Sequence, residues 1–139
     1  MKRDPYPYLF RCVTAEVIDG DTILVRLDLG MRIQWSGPLR LYGVDTPEAK
    51  SQRPMEATAG IVARAHLRNY LAQNVPTVCI SKQWDKYGRL LGDLHCAASV
   101  LLTGWLLSME LAQPTSASGA RAPWSDAALQ KIIDTPIKP

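Results

Sequence analysis

The sequence predicts an α+β, mainly β fold: a five-stranded Greek-key barrel of the OB type, with an intervening helix and C-terminal helices. Two observations carry this. Up to Tyr42, β-branched and apolar residues alternate with polar ones between turn signals at Asp19-Gly20 and at Gly30. Beyond Arg53, a helix-spaced run is followed by two short strand-like runs and a second, apolar helical run. Three antiparallel strands, a helix and two further strands suit a small closed barrel. The 139 residues suffice for a single domain with one core. The barrel and its helices are expected over residues 9–112, and a loop and tail over 113–139.

Taken in order, residues 1–8 carry two prolines and no periodicity, and read as a loose arm. Leu9–Ile18 is rich in β-branched and apolar residues and reads as a strand. Asp19-Gly20 is a hairpin-turn dipeptide, and Thr22–Leu29 alternates as the second strand. Met31–Tyr42 is the third, with a bulge or bend expected at Ser36-Gly37-Pro38. Pro54 suits a first helical residue. The helix runs to about Leu71, with Ala59, Val62, Ala63, His66, Leu67 and Tyr70 inward and Arg64 and Arg68 outward. Thr77–Lys82 and Arg89–Cys96 read as the last two strands, around a polar turn over Gln83–Gly88. Ser99–Ala112 reads as a helix buried on most sides, because few of its positions are polar. Residues 113–123 are rich in Ser, Ala, Gly and Pro and read as a mobile loop. Trp124 is the expected anchor of the tail, and Ser125 the cap of a short last helix to about Ile133.

The net charge of +3 is compatible with a polyanionic partner but does not require one. No apolar run approaches the roughly 20 residues that span a bilayer, and no apolar segment follows the basic start. Cys12, Cys79 and Cys96 are odd in number and lack zinc-type spacing, so reduced, buried thiols are expected. The expected location is therefore cytoplasmic, with no membrane association.

The stretch Arg40-Leu41-Tyr42-Gly43-Val44-Asp45-Thr46-Pro47-Glu48 begins as a strand and ends as a stiff polar loop. Pro47 fixes its own φ and holds Thr46 extended. With Asp19 and Asp21, the acids Asp45 and Glu48 form a set of hard oxygen donors that suits calcium, magnesium or manganese better than zinc. An EF-hand starting at Asp19 fails, since Leu24 stands at its glycine and Gly30 at its closing glutamate. Arg40 and Arg89 offer guanidinium forks that match phosphate oxygens. Lys86 and Tyr87 add a cation and an aromatic hydroxyl in the same turn as Arg89. His66 and His95 lack partners for catalysis and read as structural or solvated, and Trp35, Trp84 and Trp105 as packing residues.

Together, Asp19-Gly20-Asp21-Thr22, Arg40 to Glu48 and Asp85-Lys86-Tyr87-Gly88-Arg89 resemble the staphylococcal-nuclease-like, or thermonuclease, family. The likeness runs from about Val13 to Ala112. It implies an OB-type barrel and calcium-dependent endonucleolysis of DNA and RNA that leaves 3′-phosphate ends. It further implies that Asp21 and Asp45 bind the metal through their carboxylates and Thr46 through its carbonyl, with Asp19 in the outer shell. Glu48 takes the place of the general base, Arg40 and Arg89 grip the scissile phosphate, and Lys86 and Tyr87 meet a terminal phosphate. Two departures stand out. The loop after Glu48 is shorter than in the family's secreted prototype, and no further tyrosine follows Tyr87.

A different class of protein fits the same barrel: a catalytically silent OB module that binds nucleic acid or a protein. Retention of Asp21, Arg40, Asp45, Glu48 and Arg89 together argues against it. The apolar helix over residues 100–111 leaves two assembly states open, a monomer and a homo-oligomer joined through that helix.

Overall fold

The structure, a computed structural model, describes residues 8–96, 100–116 and 120–137. Most of the expected N-terminal arm and the expected helix start at Ser99 lie outside the described residues. The barrel strands are β1 (Tyr8–Asp19), β2 (Thr22–Gly30), β3 (Ile33–Leu41), β5 (Pro76–Trp84) and β6 (Leu90–Cys96), and a short β4 (Val44–Asp45) lies outside it. Around the closed barrel the order is β1-β2-β3-β6-β5. All neighbours are antiparallel except β3 and β6, which run parallel. Helix α1 (Pro54–Gln73) connects the first three barrel strands to the last two, as the sequence predicts. Helix α2 (Leu102–Ser108), a two-residue β7 (Gln113–Pro114) and helix α3 (Asp126–Asp134) complete the chain.

Alternation fills the barrel. Ile23, Val25 and Leu27 of β2 point inward with Leu39 and Leu41 of β3, while Leu24 and Arg26 face out. Ala59, Ala63 and Leu67 of α1 and Leu129 and Ile132 of α3 extend the same core. The three cysteines are free and buried in it. His66 is buried in α1, its Nε2 lying 3.1 Å from the Thr135 carbonyl, a structural bond.

Four expectations are corrected. The register between β2 and β3 is regular through Ser36, Gly37 and Pro38; the shift lies between Asp28 and Gly30. Gly37 is there for space, since a Cβ would sit 2.5 Å from the Trp35 ring. Pro38 is tolerated because β3 pairs with β6 only from Leu39 onward, leaving that side of the strand without a neighbour. Arg64 is half-buried, and its charge acts on Asp19. Helix α2 is half the expected length and buries only Leu102 and Leu106, with Leu101 and Leu107 each 38% exposed. Leu101 is extended and bridged to His95, and Glu110 has a φ of 57°, so the backbone ends the helix on both sides. Finally, part of the expected mobile loop is ordered: β7 pairs with β4, Asp45 opposite Gln113. Among the described residues no helix is long and apolar enough to cross a membrane.

Candidate active site

Four stretches of chain meet at one end of the barrel: the β1–β2 turn, the loop from Arg40 to Glu48, the β5–β6 turn, and the residues around Arg121. They surround a cleft of about 920 Å³ whose walls include Asp21, Arg40, Glu48, Tyr87, Arg89 and Arg121. Strand pairing builds the floor. Arg40 of β3 lies opposite Leu91 of β6, which lies opposite Gln83 of β5.

Two glycines fit the acid-bearing segments together. A Cβ on Gly20 would fall 2.6 Å from Thr46 Oγ1, so any other residue there would have to displace the Thr46 side chain for the hairpin turn to rest on the Asp45 loop. The turn and loop are then tied by the Thr46 N–H, which donates to Asp21 Oδ2 at 3.3 Å, and by the Leu41 N–H, which donates to the Asp21 carbonyl at 2.9 Å. Gly60 of α1 plays the same part behind Glu48. A Cβ there would come within 2.4 Å of the Ala49 nitrogen and 2.6 Å of the Glu48 carbonyl carbon. The helix is therefore the backing plate of the loop that carries Glu48.

Arg40 is locked in place. Its Nη1 donates to the carbonyls of Leu41 and Val44, both at 2.9 Å. Its Nη2 lies 3.3 Å from Asp21 Oδ2 and 3.9 Å from Asp45 Oδ1. Asp45 itself is only 1% exposed. The indole Nε1 of Trp124 donates to its Oδ2 at 3.2 Å. Its Oδ1 lies 2.8 Å from Arg121 Nη2 but off the hydrogen-bonding direction, so the contact is ionic and this buried oxygen has no hydrogen-bond donor among the described residues. Burial pushes the Asp45 carboxyl up; Arg121 pulls it back down and the Asp21 charge adds to the rise. Asp19 is pushed up by burial as well, against the pull of the Gly20 N–H. Arg121 also pairs with Glu48, so one guanidinium joins a buried and an exposed acid. Burial lowers its pKa, but the two carboxylates outweigh this and hold it above the ordinary arginine value.

Across the cleft, Asp85 organises its own turn. Its Oδ1 accepts the N–H groups of Tyr87 at 2.9 Å and Arg89 at 2.8 Å, and its Oδ2 takes Arg89 Nε at 2.7 Å. Burial raises its carboxyl, but these donors outweigh it and hold it below the usual carboxylate range. Gly88, at φ 81°, supplies the left-handed residue the turn needs. Lys86 and Arg89 both lie over the exposed Tyr87 ring, at 5.2 and 5.6 Å. One edge of the Arg89 guanidinium is thus fixed by Asp85.

The structure brings Asp19, Asp21, Arg40, Asp45 and Thr46 together at one wall, with Glu48 at its mouth and Lys86, Tyr87 and Arg89 opposite. Sequence reasoning assigned nothing to Arg121 or Asp85. Asp85 was legible in principle, since an acid four residues before an arginine across a tight turn is positioned to hold it. Arg121 carries no such signal, being a lone cation in a stretch without periodicity.

Among the described residues no three Asp, Glu, His or Cys side chains converge as a ready-made metal cage. The donors still fit a hard divalent cation. Asp21 and Asp45 present carboxylates side by side against Arg40, and one buried Asp45 oxygen has no hydrogen bond. Such a cation takes a few protein oxygens and completes its shell with water.

No curated protein matches the chain. A family model described as staphylococcal nuclease homologue matches residues 38–130, well over half of the chain, and spans β3 to α3. Together with the closed five-stranded barrel, this match makes the chain a member of the staphylococcal nuclease homologue family.

Proposed function

We propose that the protein is a calcium-dependent nuclease that hydrolyses phosphodiester bonds of DNA and RNA and leaves 3′-phosphate ends. The observation that carries this reading is the convergence of Asp21, Arg40, Glu48 and Arg89 on one cleft, with Asp45 buried behind Arg40 and Arg89 positioned by Asp85. Family membership supports it.

Asp21, Asp45 and the Thr46 carbonyl would hold the cation; magnesium or manganese would suit the same oxygens. When bound, it supplies positive charge to the phosphate oxygens. The chain's own groups do the rest. Arg40, fixed by two backbone carbonyls, and Arg89, fixed by Asp85, offer preorganised donors to the charge that develops on the phosphate. Preorganisation matters because neither guanidinium has to be ordered during the reaction. Glu48, 51% exposed at the cleft mouth, would accept a proton from an attacking water. Lys86 and Tyr87 meet a neighbouring phosphate of the strand.

A second reading, a nucleic-acid-binding module without catalysis, draws on the exposed rings of Tyr42 and Tyr87, each with a lysine near its face at 5.7 and 5.2 Å. One experiment separates the two. Single-stranded DNA is incubated with the protein and calcium, with and without a chelator, and the ends are analysed. The nuclease reading expects chelator-sensitive cutting, 3′-phosphate ends, and a loss of about 10²–10⁴-fold in Glu48→Gln. Binding without cutting in calcium, magnesium or manganese would establish the module instead.

A further inference from the structure

We propose that Arg121 is a displaceable internal cation: it holds Asp45 and Glu48 when no metal is bound, and a divalent ion and the Arg121 guanidinium exclude one another from this wall of the cleft. The inference rests on the metal site read above and extends it to a residue outside that site's ligands.

The ionised Asp45 carboxylate depends on a positive neighbour. It is 1% exposed, and a buried carboxylate without a compensating charge is strongly unfavourable. Arg40 alone compensates it weakly, its closest approach being 3.9 Å. Arg121 is nearer, at 2.8 Å, and its second arm reaches Glu48. The same guanidinium therefore neutralises a proposed metal ligand and blocks the proposed base.

The two arginines differ in how firmly they are held. Arg40 is 14% exposed and bonded to two carbonyls of its own loop. The Arg121 side chain is 43% exposed and belongs to no helix or strand. Its chain is anchored three residues further on. Trp124 is buried, its Nε1 on Asp45 and its carbonyl accepting from Arg53 Nη1 at 2.6 Å. The guanidinium can therefore swing out while its backbone stays docked. A metal arriving at Asp45 meets a like charge already there, and the two cations repel in a partly desolvated site. Departure of Arg121 also frees Glu48 and clears the mouth of the cleft for a phosphodiester.

The test is calorimetric titration of calcium alone into the wild-type protein and into Arg121→Met, which keeps bulk and offers no oxygen. Competition expects the variant to bind calcium at least roughly tenfold more tightly. Arg121→Lys, a cation without the two-armed fork, is expected between the two. Circular dichroism checks that each variant is folded. Equal or weaker binding by Arg121→Met overturns the proposal, and if chelator-sensitive cleavage persists in that protein, the nuclease reading survives on its own. Calcium binding by neither protein overturns the competition and the metal site together.

Discussion

Replacing Gly60 by alanine sets helix propensity against the position of Glu48. In the interior of a helix such as α1, alanine is favoured over glycine by about 0.8–1.0 kcal/mol. Here the added methyl would lie 2.4 Å from the Ala49 nitrogen, 2.6 Å from the Glu48 carbonyl carbon and 2.7 Å from the Pro47 oxygen. Ordinary contact begins at 3.4 Å, so the loop must retreat by about 1.0 Å (3.4 minus 2.4). All three atoms are backbone, so no side-chain rotation relieves the clash. Overpacking of this kind costs about 1–3 kcal/mol. Less the propensity gain, the expected outcome is a stability loss between zero and about 2 kcal/mol. The effect on turnover is larger, because a shift near 1 Å at a reacting group costs about 10²-fold.

Gly104 provides the control. It lies in α2 with nothing within 4 Å of its missing Cβ, so Gly104→Ala should gain up to about 1 kcal/mol and leave cleavage unchanged. Urea unfolding gives the stabilities, and single-stranded DNA cleavage gives the rates. If Gly60→Ala gains as much stability as Gly104→Ala and cleaves at the wild-type rate, α1 is not the backing plate of the Glu48 loop.

Three further outcomes follow from the same geometry. Asp85→Asn keeps an acceptor for the turn N–H groups but loses the charge that fixes Arg89 Nε, so kcat/KM should fall roughly tenfold. Because the folded Asp85 carboxyl is depressed, its stabilisation is present above the ordinary carboxylate value and lost as pH falls through the depressed one; the variant should lack that acid-side component in urea unfolding. At high pH the cysteines contribute, with Tyr70, which burial also pushes up. Burial pushes Cys12 and Cys96 up to about 11 and Cys79 to about 12, from 9.0. Unfolded thiols then lose their protons first, so stability is intact below pH 9.0 and falls as pH rises toward these values, by up to about 1.4 kcal/mol per thiol per pH unit. Cys79→Ala should make that slope shallower, and an unchanged slope would refute the assignment. Trp124→Phe leaves Asp45 Oδ2 buried without its indole donor and should lower stability by about 1–3 kcal/mol in urea unfolding.

The barrel was readable because period-two alternation and the Asp19-Gly20 and Gly30 signals are local, as is the change to helical spacing after Pro54. The misreadings share a cause: the deciding contact depends on packing and backbone geometry that periodicity does not carry. Gly37 looks like a bend until the ring of Trp35 is seen over it. Gly20 looks like a turn glycine chosen for its φ, yet its φ is not positive, and Thr46 supplies the reason for it. Leu101 and Leu107 look like core, but the backbone shortens α2 and leaves them half-exposed. At the site, each acid or basic group the sequence singled out lies in one of three short motifs, beside the others of that motif. Arg121 does not. It reaches Glu48 across 73 positions of sequence, from a stretch whose composition suggested only a loop.

Gly60 and Trp124 act on one short loop from opposite sides, which makes their effects interdependent. Gly60 lets Pro47, Glu48 and Ala49 lie on α1, and Trp124 holds Asp45 from the tail. With Pro47 between them, the two ends of this loop cannot move freely of one another. If alanine at position 60 has already displaced the loop, the indole bond to Asp45 is weakened, and removing it costs less. The double variant Gly60→Ala/Trp124→Phe should therefore lose less stability than the sum of the singles, by about 0.5–3 kcal/mol. Gly104→Ala/Trp124→Phe shares no loop and should be additive within about 0.5 kcal/mol. Urea unfolding of the three singles and two doubles measures both couplings. Equal additivity in the two cycles would mean that the loop yields at Glu48 without moving Asp45, and that the helix and the tail support the acids independently.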